Sequence, residues 1–237
     1  MTAFRLKRFT IEQTTASMKV GTDGVLLGAW IFKEGAVQEI LDIGTGTGLI
    51  ALMLAQKFPE ASIDAIDIDE GAVIQATANA KNSGWSKRIQ VEQIALADFI
   101  PRNKKKYDII ACNPPYFMKG WKIGNEQRKK ARDAAHLPFE QLIEVAKCRL
   151  AESGSLNLIL PVEEGKIFIH QLVDAGLFCK RCTSVITKEG LIPKRFLLEV
   201  VKKPVNTVFA DLVIEHAGLN NFTAEYKQLT GDFYLHF

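Results

Sequence analysis

The stretch Leu41–Leu52, LDIGTGTGLIAL, decides the fold. Its first three residues close a short apolar run, QEILDI, whose length suits a strand. Glycines then recur at every second position, Gly44, Gly46 and Gly48, and LIALMLAQKF follows with helical apolar spacing. A strand that turns through glycines into a helix offers tight, open backbone and a fan of free N–H groups at the helix start. Such a turn holds an anionic group, either phosphate or carboxylate. The spacing is G-x-G-x-G, whereas a dinucleotide turn needs G-x-G-x-x-G. Asp42, two positions before the first glycine, would repel a pyrophosphate and suits a ligand that carries an ammonium or sulfonium charge.

Working outward, strand-like and helix-like segments alternate. SIDAIDI reads as a strand, EGAVIQATANAKNSG as a helix, and RIQVEQI and YDIIAC as further strands. LPFEQLIEVAKCRLAESG reads as an amphipathic helix with Pro138 near its start and Gly154 after its end. SLNLILP is a strand, VEEGKIFIHQLVDAG a helix, and LFCKRCTSVIT with KRFLLEVVKK a closing antiparallel pair. This alternation predicts a doubly wound α/β fold around a mostly parallel, seven-stranded sheet. No linker or repeat divides the chain, so residues 1–237 are expected to form one domain. Its parts are an N-terminal segment (1–34), a core (35–203) and a C-terminal appendage (204–237).

Two further strand ends carry acids. Asp67 closes AIDID about twenty residues after the glycines, where a carboxylate accepts hydrogen bonds from ribose hydroxyls; Ile68 follows it, and Asp69 reads as an N-cap. ALADF places Asp98 and Phe99 where an adenine ring would lie. Together with Thr45 in the turn, these positions fit S-adenosylmethionine, which carries a sulfonium, an ammonium and a carboxylate.

The strand YDIIAC runs into Asn113-Pro114-Pro115-Tyr116. Two prolines exclude helix and central strand and leave rigid irregular backbone at a strand end. The order DIGTGTG, AIDID, LADF, NPPY resembles class I S-adenosylmethionine-dependent methyltransferases, and NPPY resembles those that act on adenine N6, cytosine N4 or a glutamine amide. Amines of this kind delocalise their lone pair. Acceptors on the N–H groups, the Asn113 amide oxygen and the Pro114 carbonyl, would localise it, while Tyr116 stacks on the flat substrate. Asn113 also counts among the expected cofactor contacts.

MKVGTDGVLLGAW, with Phe9 and Gln13 before it, LIPKRFLLEV and FTAEYKQLTGDFYL are similar to bacterial tRNA(Val) adenine-N6-methyltransferases over nearly the whole chain. That resemblance implies a tRNA substrate methylated at adenine 37, with Thr22 near the methionine end of the cofactor. GTDG reads independently as a turn capped by Thr22 or Asp23.

Net charge is +3, yet between Pro101 and Asp133 ten Lys and Arg face three Asp and Glu. Lys104, Lys105 and Lys106 precede the NPPY strand; Lys119, Lys122, Arg128, Lys129, Lys130 and Arg132 follow it, with Trp121 among them. The stripe reads as a phosphate-contacting face for RNA, or as a solvated lysine-rich loop. The segment from Lys119 to Arg132 is expected to be mobile without RNA.

The alternatives are methylation of a release-factor glutamine amide, of ribosomal RNA adenine, a nicotinamide oxidoreductase and a non-catalytic RNA-binding module. The release-factor enzymes usually carry an N-terminal helical domain, for which thirty residues are too few. Four cysteines form no disulfide framework, and Cys179-x-x-Cys182 has no second pair to complete a zinc site. No signal peptide or membrane-spanning run is present, so a cytoplasmic protein without membrane or obligate protein partner is expected.

Overall fold

A computed structural model describes residues 3–14, 19–114, 137–218 and 220–236. A short antiparallel hairpin, β1 (Ala3–Arg5) and β2 (Thr10–Glu12), precedes helix α1 (Thr22–Trp30). The alternating core then runs β3 (Glu39–Ile43), α2 (Leu49–Lys57), β4 (Ser62–Asp67), α3 (Glu70–Lys81), β5 (Ile89–Gln93), α4 (Leu96–Arg102) and β6 (Tyr107–Cys112). It continues with α5 (Phe139–Arg149), β7 (Leu150–Pro161), α6 (Val162–Ala175), β8 (Phe178–Lys188), β9 (Arg195–Val201), β10 (Val208–Glu215) and α7 (Ala224–Thr230).

The main sheet has eight strands in the order β10-β8-β9-β7-β6-β3-β4-β5. Only β9 runs against the others, pairing antiparallel with both β7 and β8. The doubly wound architecture and the closing antiparallel pair are as expected; the strand count is one higher. Residues 208–215, within the expected C-terminal appendage, form the edge strand β10, which pairs parallel with β8.

Each strand alternates its side chains between two cores. Ile40, Ile63, Ile109, Ala111 and Leu197 face α1, α2, the hairpin and the C-terminal segment. Leu41, Ile43, Ile110, Cys112 and Leu198 face α4, α5 and α6. Apart from Asp42, the buried positions of the central strands β3 and β6 are therefore apolar on both faces, as a covered parallel sheet requires.

The long helix read from LPFEQLIEVAKCRLAESG stops at Arg149, and the next five residues already belong to β7. Gly154 is not a helix cap. A Cβ there would lie 2.6 Å from the Tyr107 carbonyl oxygen, so the glycine permits a close crossing where the β6–β7 register shifts. No helix among the described residues is long and apolar enough to cross a membrane.

A glycine-lined cleft at the carboxyl edge of the sheet

Strand register assembles the candidate site. Ile43 pairs with both Cys112 and Ile66, and Asp67 pairs with Gln93. The next positions along β3 and β6, Gly44 and Asn113, therefore sit on neighbouring strands, about 4.8 Å apart in the pairing direction. Asp67 flanks Gly44 on the other side. This is the point at which strand order reverses, where open α/β sheets bind ligands.

A cleft of about 320 Å³ opens there. It is lined by the turn Gly44–Thr47, by Asp67, Ile68 and Asp69, by Ile94–Ala97, and by Cys112, Asn113 and Pro114. Gly44 and Gly46 have φ of +66° and +57°, and a Cβ at either would meet nothing within 4 Å. Side chains here would be strained and would project into open space, so the turn is a cradle of bare backbone. Gly48, at φ +81°, is the N-cap of α2 and offers no side-chain cap.

Asp42 supplies that cap from below. Its Oδ2 accepts the Ala51 N–H at 3.1 Å and the Thr45 hydroxyl at 2.7 Å, tying the turn to the strand that carries it. The residue is fully buried and does not line the cleft, which corrects the expectation of direct cofactor contact. Burial pushes its carboxyl up to about 7, against the two hydrogen bonds and with help from Asp67. Its Oδ1 has no hydrogen-bond partner among the described residues.

Asp67 does line the cleft. Its Oδ2 accepts the Gly46 N–H at 2.8 Å and its Oδ1 the Asp69 N–H at 3.0 Å. Burial raises its pKa as well. Each carboxylate oxygen keeps acceptor capacity for a ribose hydroxyl. Asp69 caps α3, accepting the Ala72 N–H at 3.3 Å. Cys112 sits at the cleft floor, but burial, then Asp42 and Asp67, push its thiol well above the ordinary range. A thiol held neutral is no nucleophile.

Several expected contacts lie elsewhere. Asp98 is exposed in the first turn of α4 and Phe99 is buried in the second core against Tyr107; the cleft is met instead by Ile94, Ala95, Leu96 and Ala97. The helical period of α4 sends Leu96, Phe99 and Ile100 inward together. Thr22 faces a different cavity, whereas Lys19, Val20, Gly21 and Gly24 line the cleft. The N-cap of α1 is Gly21 without a side-chain bond, so neither Thr22 nor Asp23 caps it. Lys104, Lys105 and Lys106 precede β6 at the opposite edge of the sheet, about 20 Å from Asn113 by strand rise. There Lys105 pairs with Asp64 at 2.9 Å and Glu39 at 3.0 Å, and Lys106 donates to the Cys148 carbonyl. These three lysines do not flank the cleft. Pro115, Tyr116, Lys119, Trp121, Lys122, Arg128, Lys129, Lys130 and Arg132 lie outside the described residues, as does the mobility expected of that segment.

The structure adds residues that pattern reading passed over. Leu137 and Gln141 close the cleft from the start of α5. Gln75 and Asn79, one turn apart on α3, are buried and bind the N-terminal segment. Asn79 accepts the Glu12 N–H at 3.0 Å and donates to the carbonyls of Glu12 at 2.9 Å and Thr47 at 2.8 Å. Gln75 accepts from Thr14 N–H at 2.9 Å. One amide thus clasps the hairpin to the glycine turn. Polar residues at i and i+4 on the buried face of an alanine-rich helix were the available signal. Cys179 and Cys182 are buried free thiols, and no metal-holding cluster occurs among the described residues.

Comparison with known proteins agrees with this geometry. The sequence model of the methyltransferase small domain matches residues 21–172. The chain is 42% identical to the tRNA1(Val) (adenine(37)-N6)-methyltransferase of Mannheimia succiniciproducens over 99% of this chain and 95% of the relative. It is 42% identical to the protein of the same name from Haemophilus influenzae over the full length of both. The chain belongs to this methyltransferase family. A predicted O-methyltransferase from Agrobacterium tumefaciens shares the fold, with a TM-score of 0.68 at 19% identity over 89% of this chain and 96% of the other. S-Adenosylmethionine is the methyl donor of this methyltransferase, and the bare glycine cradle beside the Asp67 carboxylate fits it.

Proposed function

We propose that this methyltransferase transfers a methyl group to the exocyclic N6 of an adenine in tRNA, at the position 37 named for its tRNA1(Val) relatives. The observation that carries the reading is the register of β3 against β6, which sets Asn113 and Pro114 one strand away from the glycine turn in the same cleft. Bound S-adenosylmethionine supplies a methyl carbon made electrophilic by its sulfonium. Backbone N–H groups at the start of α2 would hold its carboxylate, since those of Gly44, Thr45, Gly46 and Gly48 already bond within the protein, and Asp67 would hold its ribose.

The remaining task belongs to the strand-end motif. The amine of adenine donates its lone pair into the ring and is a poor nucleophile. The Asn113 side-chain oxygen accepts one N–H and the Pro114 carbonyl the other, which pulls the nitrogen toward tetrahedral geometry and frees the lone pair. Pro114 is buried and precedes a second proline, which restricts its ψ, so the carbonyl is oriented before the substrate arrives. Tyr116 stacks on the extruded base, and the basic segment from Lys119 to Arg132 contacts phosphates. No histidine, cysteine or metal is needed for such a direct transfer.

Incubation with bulk tRNA and methyl-labelled donor, followed by digestion to nucleosides, tests the reading. Label in N6-methyladenosine from position 37 of a valine tRNA is expected. Label confined to ribosomal RNA, or to a glutamine of a release factor, would replace it.

A further inference from the structure

A second cavity, of about 1010 Å³, opens beside the cleft. Its walls come from β1, the first turn of α1, the ends of β8 and β10, the start of β9 and the C-terminal segment. All these strand ends lie at the carboxyl edge of the sheet, on the same side as Asn113. The first turn of α1 separates the two spaces. Gly21 and Gly24 line the cleft, Thr22 and Asp23 the cavity. A Cβ on Gly24 would lie 3.9 Å from the Asn113 amide nitrogen, and Asp23 is the next residue along the chain. The cavity therefore begins one residue from the group that holds the reacting amine.

Its chemistry is aromatic and cationic. Phe222, Tyr226, Tyr234 and Phe4 form a chain of rings with successive centroids 5.4, 6.4 and 6.3 Å apart. Arg5 and Lys194 are exposed in its lining and make no ion pair among the described residues. Of its two carboxylates, Asp23 is already held by Arg195 at 2.9 Å, leaving Glu215 as an acceptor for base N–H groups. Rings that stack, cations for a phosphate and one acceptor are the equipment for an unstacked nucleotide. The volume is at the upper end of the about 300–1,000 Å³ found for small-ligand sites, enough for a base with its sugar and phosphate.

We infer that this cavity receives a nucleotide of the tRNA adjacent to the methylated adenine, its base against the aromatic chain and its phosphate at Arg5 and Lys194. The inference rests on the tRNA reading above and extends it: two neighbouring bases are splayed apart, one into each space, with the start of α1 between them. This would let the enzyme read the nucleotide context of its target.

The test uses full-length valine tRNA assembled with an abasic ribose at position 36 or at position 38. Removal of one of these bases is expected to weaken binding to the wild-type protein about tenfold, the effect of losing one stacked base. Phe222→Leu, which keeps an apolar side chain but no ring, and the surface double variant Arg5→Glu, Lys194→Glu should bind intact tRNA about tenfold less tightly. Phe222→Leu should lose the abasic penalty, and cofactor affinity should remain unchanged in both. If neither abasic tRNA binds more weakly, or the penalty persists in full in Phe222→Leu, the inference is overturned while the methylation reading stands. A wild-type protein that methylates no tRNA overturns both.

Discussion

The cleft and the cavity share the first turn of α1 but are built in opposite ways. The cleft is built around four adjacent strand ends, Asn113, Gly44, Asp67 and Gln93–Ile94, brought level by parallel register. The cavity is built from segments more than two hundred residues apart, Phe4 and Arg5 at one extreme and Tyr234 at the other. A binding site formed by consecutive strand–turn–helix units carries its chemistry in short motifs. One formed by chain ends folded over a sheet carries none, because only the tertiary structure makes its residues neighbours.

Substitutions should separate the two spaces. The largest effect is expected at Asn113. Asn113→Ala removes an acceptor for the amine and should lower single-turnover methyl transfer on the order of 100- to 1,000-fold, as losing one preorganised catalytic hydrogen-bond group does. Cofactor affinity, measured by calorimetry, should change little. An equal loss of cofactor binding would mean that the cleft and its chemistry are not separable.

Asn79→Ala should strike both spaces, because this amide clasps the hairpin that walls the cavity to the turn that lines the cleft. The buried Thr47 carbonyl and the half-buried main-chain groups of Glu12 lose their partner, at a cost of about 3 kcal/mol in denaturant unfolding. Unchanged stability would show that the N-terminal segment is not held this way.

Asp42 lies beneath the cleft and should register in the pH dependence of stability. Its folded pKa, about 7, is above the ordinary 3.8, so the folded state holds more protons between those values. Stability from this group is full below about pH 4 and falls as pH rises through 7. The wild-type protein should therefore lose stability relative to Asp42→Asn across that window, read as the difference between their melting temperatures. A difference that does not vary with pH would contradict the buried-acid assignment. The smallest effect is expected at Lys105, at the sheet edge opposite the cleft: Lys105→Ala should leave tRNA affinity within about twofold, since its ammonium is engaged by Asp64 and Glu39.

What was legible in the sequence follows the same division. The glycine turn, Asp67 and Asn113-Pro114 each stand at the junction of two periodicities, and a strand end can be located from its residues alone. Asp42 carried the right charge in the right strand, but whether a strand residue faces a ligand or the underside of a turn is decided by packing. Phe99 looked like a ring for adenine because it follows a strand, although its spacing from Leu96 and Ile100 already marks a core face of α4. Gly154 looked like a helix cap because glycine serves both there and at close crossings; only the Tyr107 carbonyl distinguishes them. β10 escaped because its first four residues are exposed at the sheet edge and interrupt the alternation. Lys104, Lys105 and Lys106 read as part of the basic stripe by sequence proximity alone, though the six-residue strand β6 sets them at the edge of the sheet opposite Asn113.

A crystal structure with demethylated cofactor and an adenine-containing anticodon loop tests the central claim most directly. Both acceptors, the side-chain oxygen of Asn113 and the main-chain oxygen of Pro114, should lie within about 3.2 Å of adenine N6. An adenine seated in the cleft with either oxygen turned away from its amine would contradict it.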